Sequence, residues 1–180
     1  KNSADYKSCA DCHMKVSSAV SGCSMYEPVP QRRQGELRSH TFEGTTPEFL
    51  ENSVSMELDA EVAGDELQVK VTIVNDKVGH HVPTGVTIRN MILRVEATAV
   101  PSETPLELAS GETVHDLGGV GDPKQGYYAG LPGKMFAKVN NDAEGNSPVF
   151  FTEAAGIVFD NRIPAHGTDV SDYTFSLPQG

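Results

Sequence analysis

Cys9-Ala10-Asp11-Cys12-His13 is the stretch whose residue types and spacing carry a defined chemistry. A C-x-x-C-H run is the attachment motif of c-type haem. Two thiols three positions apart can add across the two vinyl groups of one haem. The histidine that follows can then turn its imidazole under the iron as proximal ligand. One such run occurs, so the sequence predicts one covalent haem c held by Cys9, Cys12 and His13. A thioredoxin-type C-x-x-C would need a βαβ setting that the pattern does not supply. A zinc site would need two further ligands, for which only Cys23 and a histidine stand by. A disulfide closed within C-x-x-C would be strained. Cys23, the third cysteine, reads as a small buried apolar residue or as a thiol open to pairing between chains.

The sixth iron ligand then decides what the haem does. Two strong protein ligands make an electron carrier, whereas an open position admits a small molecule. His40 stands in Arg38-Ser39-His40-Thr41-Phe42-Glu43-Gly44, with 26 residues between it and His13, enough for the chain to wrap a haem and return. It is the leading distal candidate. His80 or His81 is the alternative, on the turn-rich loop Asn75–Gly85. Met14 follows His13 directly and is discounted for the same iron. The runner-up function is a haem enzyme or ligand-binding protein with an open distal site. There His115 or His166, with Asp116 or Asp169 nearby in sequence, would supply acid–base chemistry.

These residues need elements to position them, and the chain changes character after its first quarter. Residues 1–52 hold all three cysteines and show little apolar periodicity. Thr46-Pro47-Glu48 predicts a helix start there, with Thr as N-cap and Pro at the first helical position. A second short helix is expected from His13 to about Val20. From Val54 the pattern has period two. Val54, Met56, Leu58, Ala60 and Val62 alternate with polar residues, and Leu67, Val69, Val71 and Ile73 do so after the turn Ala63-Gly64-Asp65. Such alternation predicts an antiparallel hairpin with one face on a core. Further strands are expected at Met91–Ala97, Phe136–Val139, Val149–Thr152, Gly156–Phe159 and Tyr173–Leu177. The fold class is therefore mainly β. A short haem-binding segment (1–52) with one or two short helices precedes an antiparallel β-sandwich (53–180). Asn140–Asn146 is oxygen-rich but lacks the spacing of a calcium loop.

Charge narrows the function further. Lys+Arg number 14 and Asp+Glu 25 in 180 residues, a formal net charge of −11. That argues against a nucleic-acid binder, which needs a basic face, and it would steer a basic redox partner toward the protein. No apolar run reaches the length of a membrane span. The chain opens on Lys1 without a basic-then-apolar leader, as expected of a mature or trimmed chain.

Several stretches together resemble the multihaem c-type cytochromes whose last haem segment is followed by a β-sandwich. They are Cys9–His13, Arg38–Gly44, Val78-Gly79-His80-His81-Val82-Pro83-Thr84-Gly85, Tyr127–Lys138 and Asp160-Asn161-Arg162-Ile163-Pro164. The Ser-His-x-Phe-x-Gly and Gly-His-x-x-Pro-Thr-Gly segments are the more specific. The resemblance implies that His40 is a distal haem ligand and that His80 ligates a haem too. Those relatives carry several C-x-x-C-H runs and this chain one, so it is a single-haem member or a fragment of a longer multihaem chain. The implied function is electron transfer. The partners would be redox proteins, neighbouring haem-bearing chains or stacked copies of this chain in a homo-oligomer. Covalent haem attachment in bacteria takes place outside the cytoplasm, which implies a periplasmic or extracellular location.

Overall fold

The computed structural model describes residues 6–22, 31–41, 44 and 46–178. Cys23 and Phe42 lie outside them. The chain divides into two compact units, Lys1–Asn52 and Ser53–Gly180.

The first unit contains two short helices, α1 (Cys9–His13) and α2 (Pro47–Leu50). Pro47 opens α2, as its fixed φ favours at a first helical position. The helix expected after His13 is not there. The C-x-x-C-H run itself is the helix, and it ends at Met14. Beyond it the backbone is drawn into an antiparallel bridge between Val16 and Arg38. Ser17 N–H donates to Leu37 at 2.8 Å and Ser39 N–H to Lys15 at 2.8 Å. A ladder satisfies those groups instead of a helix, and β-branched Val16 suits it.

The second unit is mainly antiparallel β. β1 (Ser55–Ala63) and β2 (Glu66–Val74) form the expected hairpin. They are followed by β3 (Met91–Arg94), β4 (Thr98–Ala99), β5 (Thr104–Pro105), β6 (Glu107–Ser110), β7 (Gly133–Phe136), β8 (Lys138–Asn141), β9 (Gly156–Asp160) and β10 (Thr168–Ser176). One sheet has the order β1-β2-β10-β6, and β3–β7, β4–β5 and β8–β9 are separate two-stranded ladders. Val149–Thr152 forms no strand. Pro148 removes a donor just before it, and the Phe150 and Phe151 rings pack on each other at 4.3 Å.

The core gathers Val69, Val71 and Ile73 of β2, Tyr173 and Phe175 of β10, Leu93 and Val95, Phe136 of β7 and Ile163. Val71 is 1% exposed and Phe136 is 0%. The β2 alternation thus faces this core as expected. The β1 alternation does not. Met56, Leu58 and Val62 lie opposite Ile73, Val71 and Leu67, yet they are 61%, 58% and 65% exposed. β1 is the edge of its sheet, and the core cluster takes residues from β2, β3, β7 and β10 but none from β1. A second core cluster around Val114, Met135, Ala137 and Val139 supports the β8–β9 ladder. Lys134 of β7 reaches Asp169 of β10 at 2.8 Å, a partly buried ion pair between the two strands.

Candidate functional site

α1 places Cys9 and Cys12 three residues apart, on one face of a single helical turn, with His13 four residues from Cys9. Both thiols are free and exposed. That is unusual, because an unmodified cysteine is among the most buried residue types. His13 is half-buried and its Nδ1 atom is shielded from solvent. Its ring lies 5.1 Å from that of Phe49 on α2, and a side chain at Gly44 would come within 3.8 Å of Nδ1. The donor set and its exposure fit a c-type haem: two reachable thiols and an adjoining imidazole packed on one side.

Arg38 secures this turn. Its Nη1 donates to the carbonyls of Ala10 at 2.9 Å and Met14 at 3.1 Å, which serve the end of the helix. Its Nη2 pairs with Asp11 at 2.7 Å. Asp11 also accepts from the Ser8 hydroxyl at 2.7 Å and from the Ser8 N–H at 2.9 Å. The bonds from Ser8 first, and Arg38 after them, hold the Asp11 carboxyl below the usual carboxylate range. His40 follows Arg38 by two residues, just beyond the backbone bridge to Lys15–Ser17, and is exposed. The first unit therefore contains Cys9, Cys12, His13 and His40, with Arg38 tying the His40 segment to the motif. Arg38 carried no signal of its own in the sequence, since the atoms it holds lie 24 to 28 residues away.

His80 and His81 belong to the second unit, and both are exposed. His80 Nδ1 lies 2.9 Å from the His81 carbonyl. A carbonyl only accepts, so Nδ1 is the donor of that bond. The loop is pinned from below by Asn75, which is 0% exposed. The Asn75 amide donates to the carbonyls of His80 at 2.8 Å and Ile163 at 3.0 Å. Val82 and Ile163 exchange backbone hydrogen bonds, each at 2.9 Å.

The residues read as acid–base partners do not form such pairs. His115 Nδ1 accepts from Leu117 N–H at 3.1 Å and so caps a turn, with its ring 5.5 Å from Phe159. Asp169 is taken up by Lys134 at 2.8 Å and by the Ser171 hydroxyl at 2.9 Å. His166 has a left-handed backbone, φ 61, and its N–H donates to the Asn75 carbonyl. Among the described residues, no three or more His, Cys, Asp or Glu side chains are grouped to hold a metal ion, and no helix is long and apolar enough to cross a membrane.

No family model and no curated protein matches this chain. Among solved structures it is similar to a penta-heme cytochrome c552 from Thermochromatium tepidum, with a TM-score of 0.57 at 20% identity. The match covers 96% of this chain and 37% of that one, so the chain spans well under half the length of the structure it resembles. The likeness is one of fold.

Proposed function

We propose that the protein is an electron-transfer c-type cytochrome, or the C-terminal part of a longer multihaem one. One haem c would be attached through Cys9 and Cys12, with His13 as proximal ligand and His40 as distal ligand. The observation that carries this reading is the pair of exposed free thiols on one helical turn, immediately followed by a histidine. The similarity in fold to part of a penta-heme cytochrome agrees with it. Bound there, the haem supplies a reversible one-electron centre. The chain's own residues hold and orient it. α1 presents the two thiols, Phe49 and Gly44 confine the His13 ring, and Arg38 ties the His40 strand to the same turn. The net charge of −11 favours a basic redox partner. Covalent attachment puts the protein in the periplasm or at the cell surface.

A second assignment takes the distal ligand from His80 or His81, both exposed on their loop. The test is the intact mass and spectrum of the chain expressed with cytochrome c maturation. A mass increase of one haem that survives denaturation, with a low-spin spectrum indifferent to carbon monoxide, is expected. Cys12→Ala should abolish stable incorporation. A Cys12→Ala protein that keeps its full complement of covalent haem refutes the attachment, and a high-spin haem that binds carbon monoxide refutes the two-histidine carrier.

A further inference from the structure

The two edges of the four-stranded sheet are built differently. β6 is four residues long, and its register with β10 shifts between Thr174 and Phe175. Shortness and irregularity of that kind keep a sheet edge from pairing further. β1 has neither. It runs nine residues in unbroken antiparallel register with β2, and among the described residues no strand pairs with its outer side. It contains no proline, and its core-side face, Met56, Leu58, Ala60 and Val62, is apolar throughout and exposed. The outer row of backbone N–H and C=O groups on such an edge is a template for another strand.

The other face of β1 carries Glu57, Asp59 and Glu61. Across the ladder Asp59 meets Lys70, which also faces Asp172 of β10, whereas Glu57 meets Thr72 and Glu61 meets Gln68. Two of the three carboxylates therefore have no cation opposite them on β2.

These charges select the occupant. A second copy of β1 laid antiparallel and centred on Asp59 would set Glu57 against Glu61 and Asp59 against itself. A parallel copy in register would set each carboxylate against its own counterpart. Like charges directly opposite are destabilising. A slip of one residue would instead bring the acidic row of one copy beside the apolar row of the other. A strand that alternates apolar residues with Lys or Arg has neither defect. Its backbone continues the ladder, its apolar row covers Met56, Leu58 and Val62, and its cations face the acidic row.

We infer that β1 is a docking edge for an extended basic segment of a partner protein, which adds to the sheet as a fifth strand. β1 lies wholly in the second unit, and the docking needs no haem.

The test uses the full chain and two blocked nine-residue peptides, one alternating Val with Lys and the other Val with Glu. Fluorescence anisotropy of the labelled peptide at constant ionic strength reads affinity. Hydrogen exchange across Ser55–Ala63 reads strand addition, because edge amides that become bonded are protected. The Lys peptide should bind saturably and slow that exchange about tenfold, and the Glu peptide should do neither. The double variant Glu57→Gln, Glu61→Gln should weaken binding about tenfold, and Leu58→Lys should abolish the protection. All three positions are exposed, so these variants fold. Binding that leaves β1 exchange unchanged is charge attraction alone and overturns the docking edge. Equal binding of the two peptides, affinity that neither variant alters, or no saturation by millimolar peptide overturns it too. Self-association of the chain that slows the same amides and is lost in Leu58→Lys makes a second copy the occupant and overturns the basic partner. A chain that takes up no haem gives the same titration, so this reading and the haem reading fail separately.

Discussion

Replacing Val71 by Asp should unfold the second unit at far lower denaturant than any change one residue away, because the two positions face different environments. Val71 is 1% exposed and sits in the core beside other apolar side chains of β2, β3, β7 and β10. Losing its burial costs about 1.5–3 kcal/mol. A carboxyl that avoids ionising there and finds no partner costs about 1–3 kcal/mol more. The sum, about 2.5–6 kcal/mol, is a large part of the roughly 5–15 kcal/mol that holds a domain together. With a urea slope of about 2 kcal/mol/M, the midpoint should fall by about 1.2–3 M or the protein should not fold. The chain has no Trp, so far-UV circular dichroism is the probe. The control must be chosen from the register. Lys70 is exposed, but its neighbours across the sheet are Asp59 on β1 and Asp172 on β10. Lys70→Asp would set a third carboxylate between them and cost about 0.2–1 kcal/mol per pair. Lys70→Gln keeps size and removes only the attraction, so it should cost a few tenths of a kcal/mol. Equal midpoints for Val71→Asp and Lys70→Gln would refute the face assignment and the core built on it.

Three other outcomes are expected. His40→Ala should open the sixth position, shift the iron toward high spin and admit carbon monoxide, whereas a low-spin spectrum retained there and lost in His80→Ala or His81→Ala moves the ligand to the loop. Asn75→Ala removes the amide donor to the His80 carbonyl and one of the two donors to the Ile163 carbonyl, which keeps the Val82 N–H, so it should cost about 1–3 kcal/mol and speed hydrogen exchange at Val82 and Ile163; unchanged exchange would mean the loop is held without Asn75. Asp160, whose pKa is lowered first by its hydrogen bonds with Arg162, adds stability that is fully present above its unfolded pKa of about 3.9 and is lost as pH falls through the lower folded value, so Asp160→Asn should flatten the acid limb of midpoint against pH below about pH 4, and an acid limb identical to that of the parent protein would show that the pair adds nothing.

The two strands of the first hairpin show what a sequence pattern reports and where it stops. β1 and β2 alternate equally well, and the alternation does set which side chains share a face, since Leu58 lies opposite Val71. Whether that face is covered depends on how far the opposing layer extends. The core reaches β2 and leaves Leu58 58% exposed, a fact about residues more than thirty positions downstream. The candidate site divides along the same line. Cys9, Cys12 and His13 are readable because their chemistry is local, three side chains on one turn. Arg38 and Asn75 are not, because each acts on atoms far along the chain. Asn75 bonds Ile163 from 88 residues away, and by composition alone it is only a polar residue at the end of a strand. A polar side chain tolerates complete burial only where it replaces water with fixed partners, and those partners are the carbonyls of His80 and Ile163. The placement of that loop therefore depends on Ile163 as well as on residues near it in sequence. That is why His80→Ala and Asn75→Ala should act on the same loop, through the imidazole it carries in one case and its placement in the other.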